Sequence, residues 1–158
     1  MRIVFCVVLS AIVWLDASAA PASASPLIGR WAVDISRLPI PPEARPRSVT
    51  ITFTNAGNES LTMQVKIVDA AGAEINSVGT GTLDGKATSV AGSPEADLSA
   101  MKMPAPDVLV LALGKDRLPA STRIYAVSED GKTMIETAVY FESDGLPVMR
   151  TNYFTRAR

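Results

Sequence analysis

The sequence predicts an all-β protein: an antiparallel up-and-down meander that closes into a barrel of about 8–10 strands. Three observations predict it. Apolar and polar residues alternate with a period of two through most of the chain beyond residue 26, which is the pattern of strands with one face in a core. Turn signals rich in Gly, Asn, Asp and Pro interrupt that alternation about every ten residues. No segment sustains the 3.6-residue apolar stripe of a core-facing helix.

The elements follow in order. Residues 27–35 place Gly29, Trp31, Val33 and Ile35 on one face, with Arg30 and Asp34 on the other. Residues 37–47 hold Pro39, Pro41, Pro42 and Pro46 among three arginines. Proline lacks an amide donor and fixes φ, so this stretch reads as an extended, polyproline-like surface connection. Val49, Ile51 and Phe53 then alternate with Thr50, Thr52 and Thr54, and residues 55–58 carry turn chemistry. Leu61, Met63, Val65 and Ile67 alternate with Thr62, Gln64 and Lys66, which makes a hairpin with the preceding run. Further runs cover 74–82, 87–91, 98–103, 108–113, 121–128, 133–141 and 148–155. The intervening breaks fall at Asp84-Gly85, Gly92-Ser93-Pro94, Pro104-Ala105-Pro106, Leu118-Pro119, residues 129–132 and Ser143-Asp144-Gly145.

Short turns make sequence neighbours into sheet neighbours. A meander of this length leaves two bare edges unless it closes, and closure removes them. A barrel of around eight strands is either filled by its own side chains or holds one small ligand.

The start of the chain reads as an address. Met1-Arg2 is basic, and residues 3–15 are apolar except Ser10. Ala17-Ser18-Ala19 and Ala22-Ser23-Ala24 both have the small-x-small form of a cleavage site. Residues 1–24 are therefore expected to be a signal peptide, cleaved after Ala19 or Ala24, with 25–158 as a single barrel domain. The apolar run falls well short of the roughly 20 residues that span a bilayer as a helix. No membrane span is expected once it is removed. Cys6 lies inside the run after Phe5, not at its end after a small residue, which argues against a lipid anchor. The expected location is a bacterial periplasm, with secretion as the alternative.

Composition excludes several chemistries. The chain has no histidine, and its single cysteine is Cys6. Past the signal there is no thiol nucleophile, no imidazole base and no His or Cys metal site. No metal and no cofactor are expected. The formal net charge is −1, and no basic stripe with interleaved aromatics appears, so nucleic acid is not an expected partner.

Gly29-Arg30-Trp31 on the first strand of such a meander resembles the Gly-x-Trp signature of the calycins, the superfamily of lipocalins, fatty-acid-binding proteins and avidins. The chain is most similar to small exported bacterial lipocalin-like proteins. The resemblance runs through Asp34-Ile35-Ser36-Arg37 with its Pro-rich sequel, residues 90–97, residues 128–134 and the closing Asn152-Tyr153-Phe154-Thr155-Arg156. It implies a lipocalin-like barrel in which Trp31, beside Gly29, plugs one end. It also implies that Arg156 packs across the Trp31 ring, with Arg150 as second choice. The Thr-Asp-Tyr-like second motif of typical lipocalins and the helix before a final strand are not visible.

Candidate binding residues are Trp31, Phe53, Met63, Val65, Tyr125 and Tyr140, large apolar and aromatic side chains on strands. Met101, Met103, Met134 and Met149 join Met63 as adaptable apolar surface or ordinary core. Glu136 shares a face with Met134, Ala138 and Tyr140, and would be a buried site carboxylate if that face pointed inward. The expectation is the reverse: Ile135, Val139 and Phe141 inside, Glu136 in solvent. Ser99-Ala100-Met101-Lys102 has the Ser-x-x-Lys spacing of penicillin-recognising enzymes, but lies in a strand and lacks the companion motifs. Gly79-Thr80-Gly81 is expected to mark a bulge or bend.

The expected function is non-enzymatic: an exported protein binding a small apolar or amphipathic ligand. The alternative is a packed barrel that acts as an interaction module on an envelope protein. The run 108–113, apolar on both faces, would supply an outward patch for that role.

Overall fold

Strand β1 (Gly29–Val33) pairs with the last strand on one side and the second on the other, and this closes the sheet. The computed structural model describes residues 25–158. The apolar segment 3–15 and both expected cleavage positions, Ala19 and Ala24, lie outside them. Among the described residues there follow β2 (Ser48–Gly57), β3 (Ser60–Val68), β4 (Glu74–Thr82), β5 (Asp84–Ala91), β6 (Leu98–Ala105), β7 (Val108–Lys115), β8 (Leu118–Val127), β9 (Thr133–Phe141) and β10 (Pro147–Ala157). Every neighbouring pair is antiparallel, and the ten strands form one closed barrel in sequence order.

The alternation sets which side chains enter. Trp31, Ile51, Phe53, Leu109, Tyr125 and Phe154 are buried in a single core cluster. Burying each such side chain contributes roughly 1.5–3 kcal/mol, and no cysteine among the described residues adds a covalent restraint. Phe53, Tyr125 and Phe154 meet edge-on, with ring centroids 5.5 and 6.4 Å apart, the offset geometry that aromatic quadrupoles favour.

Several expectations change in detail. Residues 37–47 are not one extended run. Two 3₁₀ turns, Ile35–Arg37 and Pro42–Ala44, interrupt the connection. Asp34 caps the first by accepting from the Ser36 amide at 3.1 Å, and Pro42 suits the first position of the second, where its missing donor costs nothing. The β2–β3 turn is Asn58-Glu59, two residues beyond the centre of the turn expected over residues 55–58. Both residues have positive φ, 47° and 53°, as a two-residue hairpin with right-handed strand twist requires. A register shift between Asn55 and Gly57 absorbs the difference. Leu118-Pro119 opens β8, and Asp116-Arg117 makes the turn with φ of 51° and 67°. Pro104 likewise lies inside β6. Register shifts sit beside both prolines, between Lys102 and Ala105 and between Leu113 and Gly114, so neither breaks a regular ladder. Gly79-Thr80-Gly81 carries no bulge, since its register with β3 is unbroken. The seam on its other side is sparse instead, with only Val78–Ala91 and Gly79–Val90 paired between β4 and β5.

The face of β9 is the main correction. Met134, Glu136 and Ala138 point inward and are buried, whereas Ile135 and Phe141 are 44% and 63% exposed. Both faces of this strand carry apolar residues, so periodicity alone does not choose between them. The register does: Tyr125 of β8, fully buried, lies directly opposite Glu136.

One barrel end is sealed. Residues 25–28 cross it, with Ser25 Oγ donating to the Pro106 carbonyl at 2.5 Å. Leu27 is fully buried beneath them, and its carbonyl accepts from Trp31 Nε1 at 2.8 Å. The Arg156 guanidinium lies over the Trp31 ring, 4.2 Å from its centroid. Its Nε donates to the Gly131 carbonyl at 2.6 Å and its Nη1 to Ile28 O at 2.9 Å, while Nη2 reaches Pro26 O. One side chain thus stitches residues 26–28, the β8–β9 turn and the tryptophan together. Gly29 is fitted to it: φ is +132°, and a Cβ there would stand 2.5 Å from Arg156 Nη1. Gly29→Ala is therefore expected to lower unfolding free energy by roughly 1–3 kcal/mol through backbone strain and displacement of that guanidinium. Urea denaturation followed by circular dichroism checks this; an unchanged midpoint would contradict the fit.

Candidate ligand cavity

Away from the sealed end the barrel is not filled. A cavity of about 240 Å³ lies beneath the β1–β2 connection and the β5–β6 loop. Its apolar wall includes Val33, Ile51, Met63, Val65, Met101 and Leu111, from five strands. The difference between the two ends is one of side-chain size. Trp31 and Phe53 crowd the sealed half, while valines, a glycine (Gly79) and a serine (Ser99) line much of the other, and Phe154 stands on the cavity wall between them. A dry apolar void of about 150 Å³ accommodates benzene, so this chamber has room for a larger apolar group.

One wall of the chamber is polar. Arg123, Tyr125, Glu136, Asn152 and Glu95 all line it. Their positions follow from register: Arg123 and Tyr125 are successive inward residues of β8, Glu136 pairs with Tyr125, and Asn152 pairs with Glu136 across β9–β10. Glu95 arrives from the β5–β6 loop, turned by Ser93 Oγ, which accepts from the Glu95 and Ala96 amides at 3.2 Å each.

The contacts are close. Arg123 Nη1 donates to Glu136 Oε1 at 2.8 Å. Arg123 Nη2 donates to both oxygens of Glu95, at 2.8 and 2.5 Å. Glu136 Oε1 also accepts from the Tyr125 hydroxyl at 2.9 Å, and its Oε2 from Asn152 Nδ2 at 2.7 Å. Ser121 Oγ donates to Glu95 Oε1 at 2.7 Å. Glu136 is 2% exposed, and its burial is tolerable because three donors and an opposite charge meet it.

These contacts fix the protonation states. Burial works against the Arg123 charge, but the neighbouring Glu136 and Glu95 carboxylates outweigh it and hold the guanidinium protonated beyond its ordinary range. Burial, then the Glu136 charge, push the Tyr125 hydroxyl well above its usual value, so it remains a neutral donor. Burial alone would raise Glu95; the Arg123 hydrogen bond and charge, with Ser121, bring it below the ordinary carboxylate value. Ser99 Oγ and Arg123 Nε are buried without a hydrogen bond to protein, which leaves two polar atoms of cavity-lining residues uncommitted.

The structure sorts the residues singled out by sequence. Met63, Val65 and Tyr125 line the cavity. Trp31 and Phe53 are fully buried in the core, Trp31 in the seal and Phe53 against Tyr125. Tyr140 is half-buried between Arg123 and Arg150, whose guanidiniums stand 5.6 and 5.7 Å from its ring centroid. Gly29 and Arg156 are at the seal, and Arg150 is not. Of the methionines, Met63 and Met101 face the cavity, while Met134 is core and Met149 is 70% exposed. Ser99 is buried and Lys102 exposed. Three residues apart on a strand, they sit on opposite faces, so the Ser-x-x-Lys spacing assembles nothing. Arg123, Glu95 and Asn152 were missed. A signal existed for the first: Arg123 shares the period-two face of Tyr125, and an arginine on an inward face demands buried acids. Among the described residues no cluster of three potential ligands could hold a metal ion, and no helix is long and apolar enough to cross a membrane.

The closed up-and-down barrel is a fold found in solved structures. The chain is similar to a Schistosoma mansoni fatty-acid-binding protein, solved in complex with arachidonic acid, with 16% identity and a TM-score of 0.55, over 86% of this chain and 99% of that one. It is also similar to a point mutant of the fluorescent protein UnaG, with 13% identity and a TM-score of 0.55, over 84% and 97% of the two chains. At such identities the likeness is one of fold. No protein-family model and no curated protein matches the sequence.

The ion-paired cluster makes a stability prediction. Arg123→Met strands two carboxylates in the wall and is expected to cost about 3–5 kcal/mol near pH 7. Because the Glu95 carboxyl is held below its ordinary value of 4.5, its pairing stabilises the fold above that pH. That stabilisation disappears as the pH falls through the lowered value. The deficit of the variant should therefore shrink below about pH 4.5, as denaturant midpoints across pH will read. A deficit independent of pH would contradict the assignment.

Proposed function

We propose that this protein is an exported, non-enzymatic carrier that takes a small apolar or amphipathic molecule into the open half of its barrel. The observation that supports it is the chamber itself: an apolar wall ending in a largely buried, hydrogen-bonded polar cluster, the combination that gives affinity from one part and orientation from the other. That a fold neighbour holds a fatty acid supports the same use of the barrel. The cluster is poorly suited to catalysis. Both carboxylates are tied to Arg123, and Tyr125 is a neutral donor, so the cluster presents no free general base. The amino-terminal address supports export, to the periplasm or beyond.

A second reading has one observation in its favour. The outer face of β8–β10 presents Ile124, Ile135, Phe141 and Met149, which are 38–70% exposed. Such a patch suits an interaction module that meets an envelope protein.

Native mass spectrometry of protein recovered from the periplasmic fraction, beside a titration with 1-decanol, tests the first reading. The expected result is a chain beginning at Ala20 or Ser25, with a co-purifying small mass or saturable decanol binding. Val65→Trp, which fills part of the chamber, should weaken decanol binding by about tenfold or more while the barrel still folds. A clean apo mass with no decanol uptake would contradict a carrier and favour the interaction module.

A further inference from the structure

Resting on the carrier reading, we propose that the chamber selects a ligand with a cationic, hydrogen-bond-donating head group, an alkylamine in chemical class, and discriminates against carboxylates. The charge inventory of the wall carries this. The ionised residues lining the cavity are Glu95, Glu136 and Arg123, two acids and one base. The guanidinium's forks are already taken: Nη1 donates to Glu136, and Nη2 to both oxygens of Glu95. Of its five N–H groups, Nε–H and the second Nη1 hydrogen remain, and each makes a parallel fork only together with the committed Nη2. A ligand carboxylate would be a third anion around one cation, with no paired N–H fork left to receive it.

The opposite head group finds what it needs. Each of the two carboxylates accepts three hydrogen bonds, and a carboxylate has about four acceptor positions. Ser99 Oγ is buried, lines the cavity and has no protein partner, so it can accept as well. An ammonium group near the wall would bring the charge of the lining from −1 to zero, beside one fully buried carboxylate, Glu136, and one at the mouth, Glu95. Other charged and titratable groups nearby do not reverse this. Tyr125 is a neutral donor already used on Glu136. Tyr140 stands between Arg123 and Arg150, with its hydroxyl raised, first by burial, and hence neutral. Arg150 does not line the cavity and is exposed, so salt screens it. Glu95 acts here as a built-in occupant of Arg123, held on a loop at the mouth by Ser121.

A matched series tests the proposal on the purified protein: decylamine, 1-decanol and decanoate, each titrated calorimetrically at pH 7 below its self-association concentration. The amine is protonated there, as a lysine is. Decylamine is expected to bind at least about tenfold tighter than decanoate, with decanol between them. Glu95→Gln, nearly isosteric and on a partly exposed loop, should reduce the amine-to-carboxylate ratio by about tenfold, with circular dichroism confirming the fold. Decanoate binding as tightly as decylamine, or a ratio unmoved by Glu95→Gln, overturns the head-group assignment and leaves the carrier standing. Failure of all three to bind overturns both.

Discussion

Everything in this barrel depends on β1, five residues that must pair on both sides to close the sheet. So short a strand cannot hold closure by ladder bonds alone. It is clamped by what surrounds Trp31: the Leu27 carbonyl on the indole N–H, and the Arg156 guanidinium on the indole face and on three backbone carbonyls. The requirement for glycine at position 29 follows, because the guanidinium takes the space a side chain would use. Bulk concentrated at this end leaves the other end lined by smaller side chains. Sealing and hollowness are two sides of one distribution of volume along the strands.

Inside the hollow half, a different constraint applies. A buried charge is tolerated only when paired and hydrogen-bonded, and the Arg123 cluster meets that condition within the protein itself. It therefore does two things. It joins β8, β9, β10 and the β5–β6 loop around one guanidinium, and it sets the electrostatic character of the wall that a ligand meets. Fold likeness to a fatty-acid-binding barrel carries no information on this second point, since the charge inventory belongs to these particular side chains.

Much of the fold was legible in the sequence because a strand exposes its period directly. The alternations at Val49-Ile51-Phe53 and Leu61-Met63-Val65 fixed both element and face. The failures have physical reasons. On β9 both faces are apolar, so the sign of the alternation was undetermined until the Tyr125–Glu136 register was seen. Pro104 and Pro119 read as breaks because a proline interrupts a regular ladder, yet the register shifts beside them let the strands continue. The site was less legible than the fold. Met63, Val65 and Tyr125 face the cavity, but Glu95 reaches Arg123 across 28 positions of sequence, a contact that only closure creates.

One half of the barrel is packed and the other hollow, and the methionines report on both. Methyl NMR of the protein labelled at methionine, recorded under xenon pressure, compares them within one sample. Met63 and Met101, on the cavity wall, are expected to shift with xenon, while Met134 in the core and Met149 at the surface are not. Equal responses at all four, or none at Met63 and Met101, would contradict it.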